Sequence, residues 1–168
     1  MPPKEEYWLS GPVAGVPALL QPVAHALLQA RDEILSAVQD IDESRLWERP
    51  NELASVGFHL KHIVGVLDRL FTYAQGKALS AEQMAYLSEE GRQADGETAV
   101  DLLNRLSAQI DRSVEFLKSV DPATLTDARA VGRKQLPATV LGLLFHSAEH
   151  TMRHCGQLLV TARVVSKV

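Results

Sequence analysis

The sequence predicts an all-α protein: a four-helix bundle of the up-down type with one long connection before the last helix. Three observations carry that prediction. Apolar residues recur at helical spacing in four long stretches. Turn residues stand between them, at Arg49-Pro50-Asn51, at Gly76 and at Asp121-Pro122. Hydrophobic residues make up 46% of 168 residues, enough for one core, so 1–168 reads as a single domain. There is no internal repeat and no low-complexity tract.

The first stretch runs from about Pro17 or Pro22 to Ile41, with Leu20, Val23, Leu27, Ile34, Leu35 and Val38 on one face. Pro22 fits only in its first turn or at a kink. The second starts near Asn51 or Ser55 and ends at Gly76, read as the left-handed glycine that closes a helix. Val56, His59, Ile63, Val66, Leu70 and Tyr73 form its stripe, and His62 lies at the edge. A polar connector spans Lys77 to Gly96, in which Ser80-Ala81-Glu82-Gln83 has the pattern of a capping box for a short helix. The third long helix is expected from about Glu97 to Val120, where Asp121-Pro122 stops it. Leu125 to Gln135 shows no helical period and is long for a bundle connection. Pro137 is expected to open the last helix, which runs to about Val165.

A net charge of −4 argues against a surface built for nucleic acid. One cysteine, Cys155, cannot form an internal disulfide, which fits a reducing compartment. The N-terminus lacks the apolar run of a signal peptide, and no stretch reaches the roughly 18 apolar residues of a membrane span. A cytoplasmic protein without a membrane partner is expected.

Chemistry concentrates near the C-terminus. His146, His150 and His154 are half of the six histidines, and they stand four residues apart. On a helix that spacing stacks the imidazoles on one face, and two of them one turn apart form the simplest helical chelate. A third, one turn further, lies about 5.4 Å along the axis. Only one adjacent pair can therefore share an ion, and another ligand must come from a second helix. His59 and His62 are the candidates.

His150-Thr151-Met152-Arg153-His154-Cys155-Gly156-Gln157 resembles the last-helix signature of the DinB-like superfamily, His-Glu-x-x-His-x-Gly-Gln. Gly57-Phe58-His59-Leu60-Lys61-His62-Ile63, followed by Tyr73-Ala74-Gln75-Gly76, is similar to its other signature. The resemblance extends from the first helix to Val165. Thr151 stands where the family often has glutamate, and Glu149 precedes His150 instead. The resemblance implies metal ligands His62, His150 and His154, holding one divalent transition metal, zinc or nickel first among those that imidazole suits. It also implies a homodimer and a metal-dependent hydrolase or thiol S-transferase acting on a small molecule. Three neutral imidazoles leave a coordination position open, the mark of a catalytic site. The alternative is a non-catalytic metal-binding or interaction module.

His146 is expected to line the cavity or hold a water below the metal, and Gln157 to hydrogen-bond a ligand imidazole. Glu149 is read as solvated, His25 as a satisfied core histidine and Cys155 as structural. Trp8 and Trp47 are read as packing anchors. Arg69 and Tyr73 share the His62 side of their helix, with a surface salt bridge and core packing as their expected roles.

Overall fold

The computed structural model describes residues 5–39 and 41–166. Residues 1–4, where the N-terminal reading begins, and residue 40, near the expected end of the first helix, lie outside the described residues. The chain is mainly helical: α1 (Gln21–Val38), α2 (Val56–Ala74), α3 (Ala81–Glu89), α4 (Ala99–Ser119) and α5 (Val140–Val165). A two-stranded antiparallel sheet, β1 (Ala128–Val131) with β2 (Leu136–Thr139), precedes α5.

The sheet corrects the all-α expectation. Pro137 does not open the last helix. It sits in β2 opposite Ala130, and α5 begins three residues later. Thr139 caps it, its hydroxyl accepting from the Gly142 amide at 3.0 Å. Strands of four residues give too few alternations to reveal a period of two. A proline is tolerated there because each strand has a partner on only one side.

The other boundaries follow local chemistry. Pro22 lies in the first turn of α1, where its missing N–H costs nothing. Ser55 caps α2 and accepts from the Phe58 amide. Gly76, at φ +72, ends it: the amides of Gly76 and Lys77 reach back to the carbonyls of Tyr73 and Thr72. The Ser80–Gln83 box caps α3 as expected, and a Thr98–Asp101 box caps α4.

α1 and α2 each pack on both α4 and α5, and α3 lies against α2. Leu27 and Ile34, Leu60, Ile63 and Leu67, Leu106 and Ile110, and Leu144 and Leu158 meet in the interior with no exposed surface. Trp47 closes one end of this core over Gly57, where a β-carbon would lie 2.6 Å from the indole. Trp8 is 65% exposed and is not the anchor the sequence suggested. The packing of α2 against α5 matters most for function, because it brings the histidines of both helices together. Among the described residues no helix is long and apolar enough to cross a membrane.

Candidate metal centre

The α2–α5 contact gathers five imidazoles into one cluster. His62 Nε2 faces His150 Nε2 at 3.0 Å, and His59 Nδ1 faces His154 Nδ1 at 3.0 Å. The rings of His62 and His154 lie 4.4 Å apart between centroids, and those of His150 and His154 4.6 Å. His62, His150 and His154 each offer a nitrogen within 4.8 Å of the others. Phe58 stacks on His62 at 5.2 Å, with 14° between the planes, and so limits its rotation.

Glu90, just beyond the last turn of α3, fixes the tautomer. Its Oε2 accepts from His62 Nδ1 at 2.7 Å, and its Oε1 accepts from Arg69 at 2.6 Å. A carboxylate can only accept, so His62 carries its proton on Nδ1 and turns the Nε2 lone pair toward His150. Glu90 is 3% exposed. Room for it comes from Gly65, one turn after His62 and one before Arg69: a β-carbon there would lie 2.1 Å from Glu90 Oε1.

The connector after α3 is pinned on its other side as well. Lys61, buried in α2, donates to the Arg92 carbonyl at 2.6 Å and pairs with Glu97 at 3.6 Å. Buried charges of this kind persist only when paired and hydrogen-bonded. Together they hold the polar connector against α2, where Glu90 can reach His62.

Burial pushes the His59, His150 and His154 imidazoles down to about 4, with the neighbouring His62 adding to the shift in each. They are neutral at physiological pH, as metal ligands must be. The unfolded chain takes up protons as pH falls through about 6.5, whereas the folded chain refuses them until about 4. Stability therefore rises with pH across that window. The melting temperature of metal-free protein should fall between pH 7 and pH 5 and stay level from pH 7 to pH 8. Melting as high at pH 5 as at pH 7 would contradict this account.

The donor set fits a divalent transition ion on the structure's own terms. The His62 Nε2 lone pair meets His150 Nε2 at 3.0 Å, so a proton or a cation must lie between these two nitrogens. The 3.0 Å between His62 and His150 is close to the ~3.3 Å that two ligands span in a tetrahedron of about 2.0–2.1 Å bonds. A second group, His146, Glu149 and His150, also clusters. It is the weaker cage: the His146 side chain is 50% exposed, and Glu149 is taken by Arg153 and by His146 Nδ1 at 3.2 Å. The hydrogen bond from Arg153 holds the Glu149 carboxyl below its usual range.

The remaining candidates fall into place. His59 stands behind His154. Gln157 is exposed and shares with His59 and Arg153 the wall of a hollow of about 530 Å³. The Gln157 amide makes no hydrogen bond among the described residues, so the expected bond to a ligand imidazole is absent. His25 bonds the Gly11 carbonyl at 3.0 Å instead of facing the core. Burial, with Glu33 nearby, pushes the Cys155 thiol up to about 12, which leaves it protonated and structural. Arg69 makes a buried ion pair, not a surface one. Glu90 went unrecognised in the sequence, and its trace there was a glycine in mid-helix.

The DinB superfamily model matches residues 26–158, which include α2, α5 as far as Leu158 and all five clustered imidazoles. The chain belongs to the DinB superfamily. Among solved structures, this DinB-superfamily chain is similar to a conserved protein from Enterococcus faecalis, with a TM-score of 0.71 at 15% identity over 89% of this chain and 98% of that one. It is also similar to a DinB-like protein from Bacillus subtilis, with a TM-score of 0.63 at 19% identity over 88% and 94%. At such identities the likeness speaks for the fold. No curated protein matches the chain.

Proposed function

We propose that this DinB-superfamily protein binds one divalent transition metal, zinc or nickel, through His62, His150 and His154. We further propose that it serves as a metal-dependent hydrolase or thiol S-transferase on a small molecule. The observation that carries the reading is the approach of His62 Nε2 to His150 Nε2 at 3.0 Å, with His154 within the same 4.8 Å group. An ion held by neutral imidazoles supplies Lewis acidity toward a water or a substrate thiol.

The chain's own residues supply the rest. Glu90 holds His62 in one tautomer, and Phe58 holds the plane of its ring. With His59 Nδ1 accepting the His154 Nδ1 proton, His154 Nε2 is left free for the ion. Imidazole ligands bring no charge of their own, so an ion held by them would keep its full charge and favour an anionic or readily ionised partner.

The same reading treats the four long helices as a four-helix bundle. It pairs two copies through apolar side chains left exposed on α5, Leu141, Phe145, Val160 and Val164.

The test is metal content. Protein purified without added metal and analysed by mass spectrometry should carry close to one zinc or nickel per chain. Simple esters, amides and low-molecular-weight thiols would then be screened as substrates. No bound metal after dialysis against zinc and nickel, with an unchanged melting temperature, would point to an interaction module instead.

A further inference from the structure

A second site lies two turns along α2 from His62. There the end of α2, α3 and the hairpin line an open-sided cavity of about 900 Å³. We propose that this cavity binds a small organic anion with an apolar body, such as a medium-chain or aromatic carboxylate. The volume is that of a small-molecule site, about 300–1,000 Å³.

Its wall is divided by chemistry. Met84 and Leu87 of α3 turn apolar surface into it and are 43% and 41% exposed. Leu79 and Ala130 continue that surface. Opposite in character are Arg69, Lys77 and Arg133, the lining's charged residues, with no carboxylate among them. The chain as a whole has 21 acidic and 17 basic residues, so a wholly cationic lining runs against its composition.

Arg69 is already balanced by Glu90. Arg133 has no hydrogen bond or ion pair among the described residues. The Lys77 ammonium meets the neutral Gln75 amide at 2.8 Å. These two uncompensated cations are where an anionic group would settle, with Tyr73 in the same wall.

The fold builds this wall. Arg129 Nε donates to the Ala74 carbonyl at 2.8 Å, which latches the hairpin to the end of α2. Gly132 and Gln135, both at positive φ, then turn the chain so that Arg133 reaches the lining. Arg69 belongs to the cavity wall and touches Glu90, which touches His62, so these three side chains in series connect the cavity to the candidate metal centre.

The inference rests on the lining and not on the metal reading. It is tested on metal-free, full-length protein, where coordination to an ion cannot mimic binding. Octanoate is titrated against octanamide by calorimetry and by NMR. Octanoate should bind about tenfold more tightly or better, as charge-assisted hydrogen bonds warrant, and should shift the signals of Met84, Leu87 and Gly132. A Lys77→Ala, Arg133→Ala double variant should lose that preference; both positions are exposed, so folding is spared. Met84→Glu, which adds a negative charge inside the cavity, should weaken octanoate more than octanamide. Equal binding of the two probes, an unaffected double variant, shifts elsewhere or no octanoate binding would each overturn the proposal. Zinc titration of the same samples scores the metal centre separately, so either reading can fail alone.

Discussion

Replacing His150 with alanine should lower the affinity for zinc or nickel by more than about 100-fold, beyond the 10–100-fold typical of losing an outer partner of a ligand. The reason is geometric. His150 forms a triangle with His62 and His154, and without it the remaining pair comes from two different helices with no one-turn chelate. His146→Ala should change affinity by no more than about threefold, since that ring is half-exposed and engaged with Glu149. Thermal melts report the difference. Metal at 100 times its Kd stabilises the folded chain by about 2.7 kcal/mol, and the same concentration gives only about 0.4 kcal/mol once Kd has risen 100-fold. The metal-induced rise in melting temperature should therefore persist in His146→Ala and nearly vanish in His150→Ala. If His146→Ala loses the rise along with His150→Ala while His62→Ala keeps it, the ion belongs to the exposed His146, Glu149 and His150 group, and the assignment to His62 fails.

The long helices were legible because each repeats its apolar face over many turns and carries its own stop signal. Gly76 and the Ser80–Gln83 box could be read residue by residue, since capping depends on chemistry within four positions. The hairpin could not. Only β1 alternates exposed with partly buried residues, over four positions, while β2 has one partly buried residue in four; the hairpin is held by the pairing of its strands and by Arg129 reaching the end of α2. That contact joins residues 55 positions apart and leaves no local pattern.

The candidate site divides in the same way. The one-turn spacing of His150 and His154 is a local signal, and it points to the α5 half of the candidate centre. The choice between His59 and His62 was not settled by periodicity, which favours His59 for the buried stripe. The structure shows why both matter: His59 is 3% exposed and faces His154, whereas His62, nearer the edge, faces His150. Glu90 was invisible because its role depends on α3 folding back over α2. Nothing in an acidic pair after a short helix marks which carboxylate turns inward. The glycine that admits it was the better clue, since a mid-helix glycine costs about 1 kcal/mol relative to alanine and needs a reason.

That glycine gives the second large effect. On helix propensity alone, Gly65→Ala should stabilise α2 by about 1 kcal/mol. The added β-carbon, however, would lie 2.1 Å from Glu90 Oε1 and 2.6 Å from the Arg69 guanidinium. Both atoms end flexible side chains, so the backbone need not move. The cost falls on the pairing. Displacing the carboxylate lengthens its bond to Arg69, frees His62 Nδ1 and leaves buried charge poorly matched, a fault worth about 3–5 kcal/mol when one partner of a buried pair is removed outright. A partial displacement should outweigh the propensity gain and leave the variant about 1–3 kcal/mol less stable. Metal affinity should fall about 10–100-fold, as for other partners that orient a ligand imidazole. Glu90→Gln separates orientation from packing, because it keeps the volume but removes the charge and sets an amide against Arg69. Both variants should lose or shift the His62 Nδ1–H signal in the NMR spectrum of the metal-free protein, a change that packing alone would not cause. A Gly65→Ala protein that melts higher than the parent, with its His62 proton signal unmoved, would show that the glycine is there for some other reason and that Glu90 does not orient the ring.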